Sequence, residues 1–192
     1  MSTAPREQSL NVPNAITIAR LALSLVLFGL MSAGIEWTWC AGLFVFAVLT
    51  DILDGWIARK WKLVTTLGRI LDPFADKFIT GGAFLFLLIH KDSGVNPWMV
   101  LIVIGREMLV TSLRGFLEQR GADFSASASG KLKMFLQCAA ATMAMLSLDP
   151  LFKDLPWFAV TRDVSLWTMV AVTVWSGYVY VIRAIKLIAG GA

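Results

Sequence analysis

Apolar and polar positions in this chain segregate on the scale of whole helices. A polar start, residues 1–12, gives way to apolar runs near 15–33, 38–60, 70–90, 97–117, 131–148 and 165–188, with short charged or proline- and glycine-bearing stretches between them. A helix needs about 20 mostly apolar residues to cross the hydrocarbon core of a bilayer, and each run is close to that length. Backbone exposed to lipid must satisfy its own hydrogen bonds, which makes helices the expected element. The stretch 155–160 either lengthens the last run or forms a short interfacial piece. The pattern predicts an all-α integral membrane protein with six transmembrane helices, forming a single domain over 1–192. The polar start has no apolar core followed by a small-residue cleavage site, so no removable signal peptide is expected.

Composition strengthens this reading and removes others. Apolar types make up 57% of the chain and Asp, Glu, Lys and Arg 16%, against roughly half and a quarter in soluble domains. Secreted disulfide scaffolds, collagens and disordered chains are excluded. Cys40 and Cys138 both sit in apolar runs and read as small buried hydrophobes. One histidine, His90, argues against a multi-histidine metal site or a Ser-His-Asp hydrolase, and it reads as interfacial. Trp37, Trp39, Trp98 and Trp157 fall at predicted span ends and read as interfacial anchors.

The net charge of +4 matters through its placement. Arg59, Lys60, Lys62 and Arg69 crowd the second connection, and Arg114, Arg120, Lys131 and Lys133 the fourth; Arg6 precedes the first span and Arg183 and Lys186 end the last. The odd connections carry only Lys91, Lys153 and Arg162, with several acids beside them. The positive-inside tendency then puts both termini and the basic connections in the cytoplasm of a multi-pass protein of the inner or plasma membrane. No nucleic-acid partner is expected.

Against this bland background four acids stand out. Asp51 and Asp54 lie toward the cytoplasmic end of the second span, Asp72 and Asp76 toward that of the third. An ionisable group at membrane depth costs about 2.5–3.5 kcal/mol on insertion scales and usually marks a site. The i, i+3 and i, i+4 spacings put each pair on one helix face, and antiparallel neighbours would bring the pairs to similar depth. Four crowded carboxylates repel one another, so they share protons or bind divalent cations. Hard oxygen ligands suit Mg²⁺ or Mn²⁺, and such sites commonly work with substrate phosphates. Lys60, Lys62 and Arg69 ring the mouth where an anion would enter. The combination points to phosphoryl-type chemistry at the membrane surface. Simpler readings exist: Asp72 before Pro73 resembles an N-cap with proline at the first helical position. Asp51 or Asp54 paired with Arg59 or Lys77 would be plain intramembrane ion pairs, a weaker reading for four acids at these spacings. Gly55 and Ala58 suit ordinary close helix packing, and Gly68 a turn.

Residues 51–76 read DILDGWIARKWKLVTTLGRILDPFAD. This stretch resembles the signature of the CDP-alcohol phosphotransferase family, D-x2-D-G-x2-A-R-x8-G-x3-D-x3-D, with every fixed position filled. The resemblance implies a six-helix membrane enzyme, commonly a homodimer, that replaces CMP on a CDP-linked lipid with an alcohol. It implies that Asp51, Asp54, Asp72 and Asp76 hold two divalent cations and that Asp76 is also the general base. Gly55, Ala58, Arg59 and Gly68 would lie against the CDP moiety, with Arg59 facing its phosphates and Thr65 near the pyrophosphate. Three further stretches, NVPNAITIARLALS, GREMLVTSLRGFLEQRG and SGKLKM, are similar to the branch whose acceptor is glycerol 3-phosphate. Asn14, Thr17 and Arg20 of the first would line the nucleotide side. The resemblance covers most of 11–137; the last span carries no such signature.

Arg106 and Glu107 lie inside the fourth span. Adjacent helical residues point about 100° apart, which makes Glu107 a poor partner for Arg106, while Lys133 suits a solvated membrane-surface position. Arg106, Arg114 and Lys131 are then the expected cradle for the phosphate of the acceptor, arginine being suited to bidentate phosphate contact. The expected reaction joins CDP-diacylglycerol to glycerol 3-phosphate and releases CMP, with the acyl chains left in membrane lipid. Within the family the acceptor is alternatively inositol phosphate, phosphatidylglycerol or serine. A cation- or proton-coupled transporter using the aspartates as its ion path is the reading from another class. An aspartyl intramembrane protease lacks its glycine-aspartate loop signature here.

Overall fold

The structure, a computed structural model, describes the backbone of residues 12–61, 66–119 and 128–189, and the side chains of 15–50, 71–117 and 130–189. The described residues are helical almost throughout: α1 (Val12–Ala33), α2 (Trp37–Trp61), α3 (Thr66–Ile89), α4 (Pro97–Gln119), α5 (Ala128–Leu146), the single turn α6 (Pro150–Lys153) and α7 (Pro156–Ala189). A short 3-10 turn, Lys91–Ser93, precedes α4. The chain divides into two compact units, Met1–Gly82 and Ala83–Ala192, with the boundary inside α3.

Local sequence sets where the helices begin and end. Pro97, Pro150 and Pro156 each open a helix, at a position where the missing N–H costs nothing. Ahead of two of them a side chain accepts an orphan N–H: Asn96 Oδ1 from Met99 N (3.1 Å) and Asp149 Oδ1 from Leu151 N (3.0 Å). At the end of α1, Gly34 takes φ +65°. There the Gly34 and Ile35 amides reach back to the Met31 and Leu30 carbonyls at 3.2 Å, closing a Schellman motif that only glycine enters without strain.

In the first unit α1 packs on α2. The buried face of α1 is polar at one end (Thr17, Arg20, Ser24) and apolar beyond it (Leu27, Phe28, Met31). Phe28 meets Phe78 of α3 edge-on, with ring centroids 5.5 Å apart. It also fills the space left by Gly82, where a Cβ would fall 2.1 Å from Phe28 Cζ. In the second unit α7 packs against both α4 and α5. Its buried stripe, Leu166, Met169, Thr173, Ser176, Tyr180 and Ala184, recurs at helical spacing, and its other sides expose Trp167, Val174, Trp175 and Tyr178.

All six expected spans have a helix at their place. The stretch 155–160 lengthens the last of them, giving α7 34 residues, or about 51 Å of helix. Among the described residues, Ala15–Ala33 and Pro156–Ala189 are long and apolar enough to cross a membrane, and α2 contributes the shorter apolar stretch Trp37–Thr50. Polar side chains interrupt the others: Asp72, Asp76 and Lys77 in α3, Arg106, Glu107 and Arg114 in α4, Lys131, Lys133 and Gln137 in α5.

One local alternative is set aside and one expectation is corrected. Asp72 is not an N-cap, because α3 starts at Thr66 and Pro73 lies inside it; the helix tolerates the lost hydrogen bond at an exposed position. Trp37 is buried rather than turned outward, whereas Trp39, Trp98 and Trp157 are each more than half exposed. Cys40 and Cys138 are free thiols, and His90 follows directly on the last residue of α3.

Candidate active site

The carboxylate region is represented by Asp72 and Asp76 on α3, one turn apart. Asp72 is exposed and Asp76 half-buried. Thr17, buried on α1, donates its hydroxyl to Asp72 Oδ1 at 2.5 Å. A residue expected on the nucleotide side and one expected to hold a cation are thereby joined directly. This bond fixes one carboxylate oxygen and leaves the other for a ligand. Thr80 returns its hydroxyl to the Asp76 carbonyl at 3.0 Å, and Lys77 Nζ reaches the Pro73 carbonyl at 3.2 Å. Arg20 and Ser24 continue the polar face of α1 inward; Ser24 Oγ caps the Arg20 carbonyl at 2.8 Å.

Asp51, Asp54, Gly55, Ala58 and Arg59 fall on α2, Asn14 on α1 and Gly68 on α3, but their side chains lie outside the described residues, as does Thr65 entirely. The expected meeting of Asp51 and Asp54 with Asp72 and Asp76, and their alternative pairing with Arg59, therefore lie outside them too. Among the described side chains no three of His, Cys, Asp and Glu come together as metal ligands. The donors that are described here, two carboxylates with a threonine hydroxyl behind one of them, are all hard oxygens and fit a magnesium-type cation rather than zinc or copper.

In the second unit a different polar group forms, buried between helices. Arg106 Nη1 lies 3.1 Å from Glu107 Oε1, and Lys133 Nζ of α5 is bonded to the same oxygen. Arg106 Nη2 donates to Ser176 Oγ of α7 at 2.7 Å, and the guanidinium lies over the Tyr180 ring, 5.3 Å from its centroid. Gly177 makes room for the stem: a Cβ there would stand 3.2 Å from Arg106 Cγ. Below this group Val110, Leu113 and Leu117 of α4 close on Tyr180 and Ala184 of α7. The guanidinium Nε atoms of Arg106 and Arg114 are buried without a hydrogen-bond partner.

This geometry changes two expectations. Glu107 does pair with Arg106, because the long arginine reaches sideways around the helix although the two Cβ directions diverge. Lys133 is buried, not solvated; the exposed lysine is Lys131. Of the expected acceptor cradle, Arg106 sits in the polar group, while Arg114 is half-buried two turns along α4 and Lys131 lies on the surface of α5. Sequence reasoning missed Ser176, Gly177 and Tyr180, which seat Arg106. The available signal was a small polar pair, Ser176–Gly177, inside an otherwise apolar run.

Comparison with known proteins identifies the chemistry these residues accompany. Residues 10–175 match the CDP-alcohol phosphatidyltransferase family profile. The CDP-diacylglycerol–glycerol-3-phosphate 3-phosphatidyltransferase of Bacillus subtilis (strain 168) is 37% identical over 187 residues, covering 88% of this chain and 93% of the relative. The protein of that name from Rickettsia bellii (strain RML369-C) is 36% identical over 172 residues, with 88% and 93% covered. Its namesake in Yersinia pestis (strain Pestoides F) is 34% identical over 134 residues, with 67% and 72% covered.

Proposed function

The chain belongs to the CDP-alcohol phosphatidyltransferase family, and on that premise we propose that it transfers the phosphatidyl group of CDP-diacylglycerol to sn-glycerol 3-phosphate, giving phosphatidylglycerophosphate and CMP. In this reading α1 to α5 and α7 are six spans, both termini are cytoplasmic, and the site opens to the cytoplasm within a homodimer. The observation that carries it is the Thr17–Asp72 hydrogen bond: it ties the α1 segment expected at the nucleotide to the α3 segment expected at the reacting phosphate.

Asp76 accepts the proton of the acceptor hydroxyl as its oxygen attacks the phosphatidyl phosphorus in line. The bond from that phosphorus to the CMP oxygen breaks, and CMP leaves with the electron pair. Two Mg²⁺ or Mn²⁺ ions held by Asp51, Asp54, Asp72 and Asp76 would supply neutralisation of the diphosphate charge. Thr17 holds Asp72 in orientation. Gly55, Ala58 and Gly68 let the nucleotide approach the helices closely, Asn14 and Thr17 line its side, and Arg59 and Thr65 contact its phosphates. Arg106, Arg114 and Lys131 bind the phosphate of the acceptor; the unpartnered Nε donors of both arginines support this, since a buried N–H without an acceptor is costly until a ligand supplies one.

The buried cations favour a phosphate-bearing acceptor over serine. CMP release by the purified protein, with CDP-diacylglycerol, a divalent cation and each acceptor in turn, tests the proposal. Release with glycerol 3-phosphate, lost in Asp76→Asn, is the expected result. Release only with inositol phosphate, phosphatidylglycerol or serine would keep the family and replace the acceptor. No release with any acceptor would favour an ion-coupled transporter.

A further inference from the structure

Three ionisable side chains meet inside the second unit with little access to solvent: Arg106 is 9% exposed, Lys133 7% and Glu107 17%. Two cations share one carboxylate oxygen, so the group carries one net positive charge. Burying two cations side by side without a counter-charge is strongly unfavourable, because each loses its hydration and repels the other. Glu107 removes that repulsion. It also connects two faces of α4: Arg106 is held toward α7 by Ser176 and Tyr180, and Lys133 projects from α5. Glu107 is the only group among the described residues bonded to both cations. The Arg106 Nε, buried and still without an acceptor, shows that the carboxylate does not exhaust the donors around it.

We propose that Glu107 is a positioning residue of the acceptor site. Its carboxylate converges Arg106 and Lys133 and keeps the buried group at one positive charge. Arg106 is thereby aimed to receive the phosphomonoester of the acceptor alcohol. This inference rests on Arg106 being an acceptor ligand, as proposed above. Glu107 does not touch the acceptor; it acts through the two cations. Its removal therefore affects acceptor binding selectively and leaves recognition of the CDP-lipid in place.

The test is steady-state CMP release with the two substrates varied separately, in Glu107→Gln, Glu107→Asp and Arg106→Ala. Glu107→Gln is expected to raise the KM for glycerol 3-phosphate about tenfold, the effect of losing a charge-assisted pair, while the KM for CDP-diacylglycerol moves by less than about twofold. Glu107→Asp, which keeps the charge on a shorter stem, should recover most of that loss. Equal rises in both KM values, or a fall in kcat alone, would overturn the proposal by showing a general defect. The Arg106→Ala control separates the two readings. An unchanged acceptor KM there would remove the acceptor site itself. A raised KM there with none in Glu107→Gln would remove only the role of Glu107. Should Glu107→Gln fail to fold, Lys133→Met takes its place, removing one of the two cations that Glu107 holds together. A raised KM for glycerol 3-phosphate there with the KM for CDP-diacylglycerol unchanged supports the proposal; an unchanged acceptor KM overturns it.

Discussion

In the unit that ends at Gly82, the described carboxylates lie one turn apart on α3: Asp72 is exposed, Asp76 is half-buried, and a buried hydroxyl bonds the first of them. In the unit that begins at Ala83 the charges are turned inward, two cations on one carboxylate with a serine, a tyrosine ring and a bare glycine packed around the arginine. The contrast is the one the proposed roles require. Carboxylates that bind cations must keep lone pairs free and accept their mutual repulsion until the ligand arrives. Cations buried between helices have no water to fall back on and need an internal counter-ion. The first region exposes a carboxylate at the surface, while the second satisfies most of its charged groups internally and leaves the Nε donors of Arg106 and Arg114 over.

The largest effect expected on this contrast comes from the open side. Asp76→Asn should lower CMP release about a thousandfold, within the range general-base removal produces, without changing helix content by circular dichroism. Chelation by EDTA should abolish release in the unaltered protein, and Mg²⁺ or Mn²⁺ should restore it. A variant that keeps a tenth of the activity would break the assignment of Asp76 as base. Next in size is Arg106→Ala, expected to raise the KM for glycerol 3-phosphate about thirtyfold, as charged hydrogen bonds to one phosphate are lost. If it raised the KM for CDP-diacylglycerol equally, the inward group would belong to the nucleotide and the contrast between the two regions would vanish.

A stability measurement sharpens the comparison further. The first unit is packed tightly where α1 meets α3, with Phe28 in the gap above Gly82. Gly82→Ala pushes the buried ring aside and should cost about 1–3 kcal/mol, the usual range for overpacking. The check is thermal unfolding in detergent. An unchanged Tm would mean that α3 slides past Phe28 at no cost.

What the sequence made legible follows the same division. The bounds of α1 to α5 were readable to within a few residues because length and apolar runs set them, whereas the start of α7 was left between 155 and 165 and the turn α6 was not expected. The aspartates were readable because acids are expensive in a bilayer and rare in this chain. A proline after an aspartate has the local form of a helix start, which is why an N-cap competed with the site reading of Asp72; α3 runs through Pro73. Trp37 misled because position near a span end says nothing of which way a ring turns. The inward group was half visible. Its charges showed in α4 and α5, but their pairing depends on the reach of an arginine. The residues that seat it, Ser176, Gly177 and Tyr180, are ordinary in composition and gain their meaning only from the register of α7 against α4.

That register sets the smallest effect expected. At Gly177 a new Cβ would stand 3.2 Å from Arg106 Cγ, closer than comfortable contact by only a few tenths of an ångström. Alanine is also a better helix former than glycine by about 1 kcal/mol, so Gly177→Ala should leave Tm level or slightly higher while the arginine stem moves aside. The guanidinium then loses alignment with Ser176 Oγ and the Tyr180 ring. A displacement this small should raise the KM for glycerol 3-phosphate two- to threefold at most, about 0.5 kcal/mol of acceptor binding, with the KM for CDP-diacylglycerol unaltered. Gly177→Leu, which adds bulk beyond that Cβ, should reproduce the direction with a larger amplitude. If both variants left acceptor KM untouched, Arg106 would tolerate displacement along α7, and its seat on Ser176 and Tyr180 would be packing alone rather than alignment for a phosphate.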